Sequence, residues 1–318
     1  MRNEANYAFH NLKPATIEMA REVLSGLRSA PKSIAPKYFY DARGSELFDQ
    51  ITELDEYYIT RTEMALFDAH LEDIASRLPP DLCVVEYGGG SSMKIRRLLE
   101  TLSPAVYVPV DISAEHLADN AEILHRDFPD IAIHPVCADF TQPFVLPDAV
   151  AGSNKLAFFP GSSIGNFEPQ DAIQFLVNVR HTIGPAGSLL IGVDRKKAKD
   201  VLERAYDDAA GVTAAFNLNV LSHLNVALDA NFDLNGFQHV VRYNQDAGCI
   251  QMFLKSLVDQ SVVIAGETVV FDADEALHTE NSFKYHPEEF LQLAAQAGFS
   301  QQHRWSDRQA YFSLYLLA

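Results

Sequence analysis

The chain has 318 residues, with 25 Lys and Arg against 43 Asp and Glu, and a formal net charge of −18. Such an acidic chain repels the phosphates of nucleic acids and the surface of an anionic membrane, so neither is expected as a partner. Its apolar content of 47% is enough to bury a sizeable core and excludes a disordered chain.

In chain order, residues 14–28 place Ile17, Ala20, Val23, Leu24 and Leu27 on one face of an amphipathic helix. Pro31 to Pro36 reads as a loop. A tyrosine-rich stretch follows, with Tyr38-Phe39-Tyr40 before Gly44 and Tyr57-Tyr58 after it. A tyrosine offers a flat apolar ring with a hydroxyl handle, which suits gripping a small polar ligand; packing against a sheet is the competing reading. Thr60 and Glu63 have capping-box spacing and predict a helix running to about Arg77.

Leu82 to Val85 reads as a short buried strand that ends in the acid Glu86. Gly88-Gly89-Gly90 follows, and then a basic amphipathic helix beginning near Ser92. Glycines let a backbone approach a ligand closely, and the helix N-terminus behind them carries free N–H groups. This predicts a nucleotide-type cofactor. Position 93 is Met, so the third glycine of the dinucleotide fingerprint is missing. The next strand, Ala105 to Val110, ends in Asp111, an acid placed to accept from ribose hydroxyls. The strand Ile131 to Cys137 leads into Asp139-Phe140, an acid and an aromatic that suit an adenine. Three ordinary loop acids are the alternative at this point. Together the three features resemble S-adenosylmethionine-dependent methyltransferases of the Rossmann-like class.

A fourth strand, Lys155 to Phe159, leads into Gly161 to Asn166 at the C-terminal edge of the sheet, where open α/β folds bind ligands. Asn166 is expected either to bond a substrate carboxylate or to cap the next helix, which starts near Pro169. A helix from about Asp171 to Ile183 and a strand from Ser188 to Val193 continue the alternation. From Lys196 the pattern changes. Helical stretches Lys199–Asp208 and Val212–Leu228 precede strands Gln238–Tyr243, Cys249–Leu257 and Val262–Phe271, which predicts an inserted subdomain. The chain returns through a helix at Pro287–Ala297, stopped by Gly298, and strands Gln301–Trp305 and Phe312–Leu317. Cys83, Cys137 and Cys249 give neither a disulfide framework nor a metal spacing, and the eleven histidines show no HxH or HExxH. No metal is expected. The first residues lack the apolar core of a signal peptide and no apolar run could span a bilayer, so a cytoplasmic protein is expected.

Longer motifs are far more specific than the glycine turn. The run KYFYDARGSELFDQIT with EYYITRTE, then EYGGGSSMK, PVDIS, Ala138-Asp139-Phe140, Phe159 to Asn166, AYDDAAGVTAAFN, Gln251-Met252 and Glu280-Asn281-Ser282-Phe283-Lys284 resembles the histidine Nα-methyltransferases of ergothioneine biosynthesis. That family includes relatives that methylate tryptophan derivatives. The resemblance covers essentially the whole chain. It implies trimethylation of the α-amino group of L-histidine to hercynine, with S-adenosylmethionine as cofactor and a small amino acid as partner. A monomer is the expectation. The implied fold is α/β, a Rossmann-like class I methyltransferase sheet with helices on both faces, plus an inserted α+β substrate-binding subdomain. The cofactor domain would comprise 61–195 and 285–318, and the substrate portion 8–60 and 196–284, with the ligand between them.

By the same resemblance, Gly88, Lys94, Asp111, Asp139 and Phe140 hold the cofactor, and Lys94 pairs with its methionyl carboxylate. Tyr57 serves both cofactor and substrate. Tyr57, Asn166 and Tyr206 hold the α-carboxylate end of the amino acid, and Gly161 is a further substrate-binding residue. Glu280 and Ser282, with Tyr40, grip the imidazole, Met252 walls the pocket, and Asn281 lies beside the specificity pair. No catalytic base is assigned; the mechanism is one of positioning. Ile59 stands where relatives commonly carry a proline, and Asn281-Ser282-Phe283 departs slightly from the usual wording, which puts ring selectivity in question. Rival readings are a methyltransferase acting on tryptophan or tyrosine, a nicotinamide-dependent dehydrogenase, and a non-catalytic S-adenosylmethionine sensor.

Overall fold

Strand β2 (Leu82–Tyr87) has all of its residues buried, which is why it reads as a continuous apolar run rather than an alternating one. The structure, a computed structural model, describes residues 7–12, 16–89, 92–147, 150 and 152–318. β2 lies at the centre of a sheet. On one side it pairs in parallel with β3 (Val106–Asp111), which pairs with β4 (Ala132–Ile133) and β5 (Val136–Cys137). On the other side β2 pairs in parallel with β6 (Asn154–Phe159), and β6 with β7 (Ser188–Asp194). The C-terminal pair β13 (Gln301–Ser306) and β14 (Phe312–Leu317) completes that edge, with β14 antiparallel to β7. Helices α3 (Tyr58–Ser76), α4 (Ser92–Leu102), α5 (Ala114–Asp127), α6 (Pro169–Ile183) and α9 (Pro287–Gln296) alternate with the strands. This is the Rossmann-like α/β sheet, parallel with an antiparallel pair at one edge, that the sequence predicts.

The expected strand over 131–137 is split in two, because Pro135 has no N–H to give to a ladder. A short strand β1 (His10–Asn11) had no sequence signal. It pairs in parallel with β5, His10 opposite Val136. The described residues 8–12, expected with the substrate portion, hydrogen-bond along this sheet edge instead.

The chain divides into two units. The first comprises Met1–Lys13, Ile59–Lys196 and Lys284–Ala318, and the second Pro14–Tyr58 and Lys197–Phe283. The second unit contains α1 (Thr16–Arg28), α2 (Ala42–Thr52), α7 (Lys199–Tyr206) and α8 (Val212–Ala227). Its antiparallel sheet runs β12 (Ala276–Phe283), β9 (Cys249–Ser256), β8 (Phe237–Asn244). Residues 262–271, expected as one strand, form a hairpin instead, β10 (Gln260–Ile264) and β11 (Glu267–Phe271). The turn residues Ala265 and Gly266 both have positive φ, 50° and 79°, the geometry that matches the twist of two antiparallel strands. Among the described residues no helix is long and apolar enough to cross a membrane.

In the first unit Lys284 and Asp194 form an ion pair at 2.9 Å with both side chains wholly buried. The Tyr285 N–H donates to the Asp194 carbonyl at 3.1 Å. The chain therefore leaves β7 and comes back from the second unit at one place.

Candidate active site

In the first unit the chain runs from β2 outward to β3 on one side and later to β6 and β7 on the other. The loops after β2 and β6 flank this switch in direction, where α/β sheets bind ligands. Gly88 follows β2 with φ +82°, a conformation that costs glycine nothing, and a Cβ there would meet nothing within 4 Å. The space in front of it is open. Gly89 is fixed by packing instead: a Cβ would stand 2.7 Å from the Cβ of Pro109 on β3. Gly90 and Ser91 of the same turn lie outside the described residues.

Asp111 ends β3 and accepts the Ser113 N–H at 2.8 Å through Oδ1. Burial, the largest influence, raises its pKa against the lowering effect of the Ser113 and Ile112 N–H groups, so a ligand that donates hydrogen bonds would stabilise its charged form. Asp139 follows β5, is buried, and accepts from the Thr141 N–H and hydroxyl at 3.0 and 2.6 Å. Phe140 is half-buried and packs against Tyr87, Phe159 and Phe175, with ring centroids 6.0 Å apart in each case. An open glycine turn, two carboxylates at successive strand ends and a partly uncovered ring fit the donors and flat base of a nucleoside cofactor.

Lys94 on α4 makes an ion pair with Glu63 on α3, whose side chain is wholly buried. Glu63 also accepts the Gly161 N–H with both oxygens, at 3.0 and 2.9 Å. Glu63 was expected as the closing acid of a capping box. Instead α3 begins at Tyr58, and Glu63 ties α4 to the loop after β6. Gly192 on β7 leaves room for it, since a Cβ there would stand 2.1 Å from Glu63 Oε1. The expectation that the Lys94 ammonium serves a ligand carboxylate is thus qualified by an acid already beside it. The Gly161 N–H likewise has its partner. Asn166 ends the 3-10 turn Ser163–Asn166 and is half-buried. It does not cap α6, whose N-cap is Glu168.

Glu86, the acid at the end of β2, is buried and accepts the Tyr107 hydroxyl. Burial pushes its pKa up to about 8. The folded state therefore holds a proton that the unfolded chain releases near the usual carboxylate range, and stability falls as pH rises from there to about 8. Glu86→Gln is expected to remove this slope. Thermal melts of both proteins across that window check it, and parallel pH profiles would refute it.

In the second unit Asp41 caps α2 through the Gly44 N–H at 2.7 Å and accepts from Asn219 at 2.8 Å. Gly44 must lack a side chain, because a Cβ would stand 1.7 Å from the Phe39 carbonyl oxygen. This tight corner presents Tyr40, which meets Phe48 and Phe216 edge-on, both at 5.8 Å. Tyr57 is buried and meets Tyr206 edge-on at 6.0 Å. The Tyr206 hydroxyl bonds the Ser282 hydroxyl at 2.7 Å. Glu280 stands opposite Met252 in the β12–β9 register, and Ser282 opposite Ile250. A register irregularity between His278 and Glu280 precedes them. Strand alternation then puts Glu280, Ser282 and Met252 on one face. Glu280 and Ser282 are buried polar residues.

Asn281 falls on the opposite strand face, where its Oδ1 lies 3.0 Å from His278 Nε2 and 3.4 Å from Gln251 Nε2. It supports the sheet behind the pair rather than facing the same way. Phe48 and Phe216, which pack against Tyr40, lie inside the quoted motifs but were given no role from the sequence. No group of three or more His, Cys, Asp or Glu able to hold a metal ion occurs among the described residues.

Residues 19–318 match the family described as "Histidine-specific methyltransferase, SAM-dependent". The chain is 42% identical over 304 residues to the histidine N-alpha-methyltransferase of Mycolicibacterium smegmatis, covering 94% of each chain. It is 41% identical over 308 residues to the protein of the same name from Mycobacterium tuberculosis, covering 95% of each. Ergothioneine biosynthesis protein 1 of Neurospora crassa is 29% identical over 313 residues, which is 95% of this chain and 35% of that longer protein.

Proposed function

The chain belongs to the S-adenosylmethionine-dependent, histidine-specific methyltransferase family, and from that premise we propose that it trimethylates the α-amino group of L-histidine to hercynine as a monomeric cytoplasmic enzyme. The observation that carries the choice of substrate is the buried carboxylate of Glu280, on one strand face with Ser282 and Met252. An imidazole has two distinct nitrogens, one N–H to donate and one lone pair to accept. Glu280 accepts the first, and the hydroxyls of Ser282 and Tyr40 serve the second. Tyr57, Tyr206 and Asn166 hold the α-carboxylate end.

On the cofactor side, Asp111 takes the ribose hydroxyls, Asp139 and Phe140 the adenine, and Gly88 gives the backbone approach. Lys94, already paired with Glu63, offers its remaining donors to the methionyl carboxylate. When bound, S-adenosylmethionine supplies an electrophilic methyl group on a sulfonium. The protein's part is to hold an unprotonated amine in line with it and to exclude water. The α-amino group is largely protonated at neutral pH, so its proton must leave to water before transfer. No side chain is assigned as a base.

The test is mass spectrometry of the purified protein incubated with S-adenosylmethionine and each standard amino acid separately. A gain of three methylene masses on histidine alone is expected. A gain on tryptophan or tyrosine instead would keep the cofactor assignment and overturn the Glu280 pocket.

A further inference from the structure

The long motif containing Tyr206 and Asn217 contacts a histidine from another element that has no assigned role. His239 on β8 lies with Nε2 at 3.0 Å from the Tyr206 carbonyl oxygen. Its Nδ1 is 2.8 Å from Asn217 Nδ2. Which nitrogen carries the hydrogen follows from a third contact. Asn217 Nδ2 also donates to the Phe253 carbonyl at 3.1 Å, and an amide oxygen turned into that position would face a carbonyl oxygen. The amide is held this way even though its own Oδ1 is buried with no partner among the described residues. Asn217 is therefore the donor, His239 Nδ1 the acceptor, and Nε2–H the donor to Tyr206.

Tyr206 is the last residue of α7, so its carbonyl is one of those a helix end leaves without an internal partner. His239 supplies that partner. Burial lowers the pKa of its ring, against the opposing pull of the Tyr206 carbonyl, Asp207 and Asp208, which favours the neutral form the geometry requires. Asp208 fixes the next segment by accepting the Val212 and Thr213 N–H groups at 2.9 and 2.7 Å, where α8 begins. Tyr206 is thus held at two points, its backbone by His239 and its hydroxyl by Ser282.

We infer that His239 is a positioning residue for the amino-acid substrate, fixing the end of α7 so that the Tyr206 hydroxyl stands where the substrate needs it. This rests on the reading in which Tyr206 holds the substrate. The role needs a donor at Nε2 and leaves room for a different acceptor at Nδ1. Glutamine, whose amide nitrogen reaches about as far as ring Nε2, keeps the bond to Tyr206; asparagine reaches only the Nδ1 position and loses it.

The experiment uses the full chain as His239→Gln, His239→Asn, His239→Phe and Tyr206→Phe, with steady-state kinetics against histidine and calorimetric binding of S-adenosylmethionine. His239→Asn and His239→Phe are expected to raise the histidine KM about tenfold, the loss of roughly one hydrogen bond. His239→Gln is expected to stay within about threefold of the parent, and all variants to keep cofactor affinity within about twofold. Equal behaviour of the Gln and Asn variants overturns the inference. If Tyr206→Phe raises the KM while His239→Phe does not, the inference fails alone; if Tyr206→Phe changes nothing, the reading beneath it fails. Should the Phe variant not fold, nitrogen NMR of the parent decides: Nε2–H supports the assignment, and Nδ1–H overturns it.

Discussion

Lys284→Ala is expected to lower the stability of the protein by about 3–5 kcal/mol, the range for breaking a buried ion pair from one side. Its ammonium sits 2.9 Å from Asp194 and neither side chain is exposed. Removing it leaves a carboxylate in the interior that keeps the Arg195 N–H, at 3.0 Å, but has lost its counter-charge. The damage comes from the stranded charge more than from the lost attraction. The double variant Lys284→Met with Asp194→Asn should therefore recover part of the loss, because it removes the charge as well. Urea unfolding of the three proteins measures this. A loss under about 1 kcal/mol in the single variant would mean that water reaches Asp194.

Glu280→Ala is expected to raise the histidine KM by about one to two orders of magnitude, the usual worth of a hydrogen bond to a charged group lost from a buried site. The cofactor KM should move by less than about twofold, since the change touches only the ring pocket. Glu280→Gln should fall between, because its amide oxygen still accepts the ring N–H without the negative charge. Initial-rate kinetics in each substrate separate the two KM values. An unchanged histidine KM in the alanine variant would remove Glu280 from the pocket.

Most of the central sheet was legible in the sequence because buried parallel strands write themselves as apolar runs. Leu82–Tyr87 and Ser188–Asp194 are the plainest cases. β12 was not legible at all. Its sequence, ALHTENSF, is polar in the middle, yet Thr279 to Ser282 are all buried. Polar residues in that core obey the pocket and its hydrogen bonds rather than the hydrophobic pattern, so periodicity could not find the strand that carries Glu280. The motif did. Glu63 failed for a different reason: its spacing from Thr60 satisfies a local rule, but its partners are 31 and 98 residues away. The Ala265-Gly266 turn was hidden because alanine seldom adopts a positive φ.

The clasp at Asp194, Lys284 and Tyr285 has a consequence for how such a protein can change over generations. It brings together the two ends of the long stretch between β7 and α9, and it does so with contacts that belong to the sheet. Once the ends are held, lengthening the intervening chain costs only about 0.6 kcal/mol for each doubling. Insertions, deletions and wholesale recutting within Lys197–Phe283 can then accumulate with little effect on strand register in the sheet. Selection for a new amino acid can act on one part of the gene while the methyl-donor machinery is inherited intact.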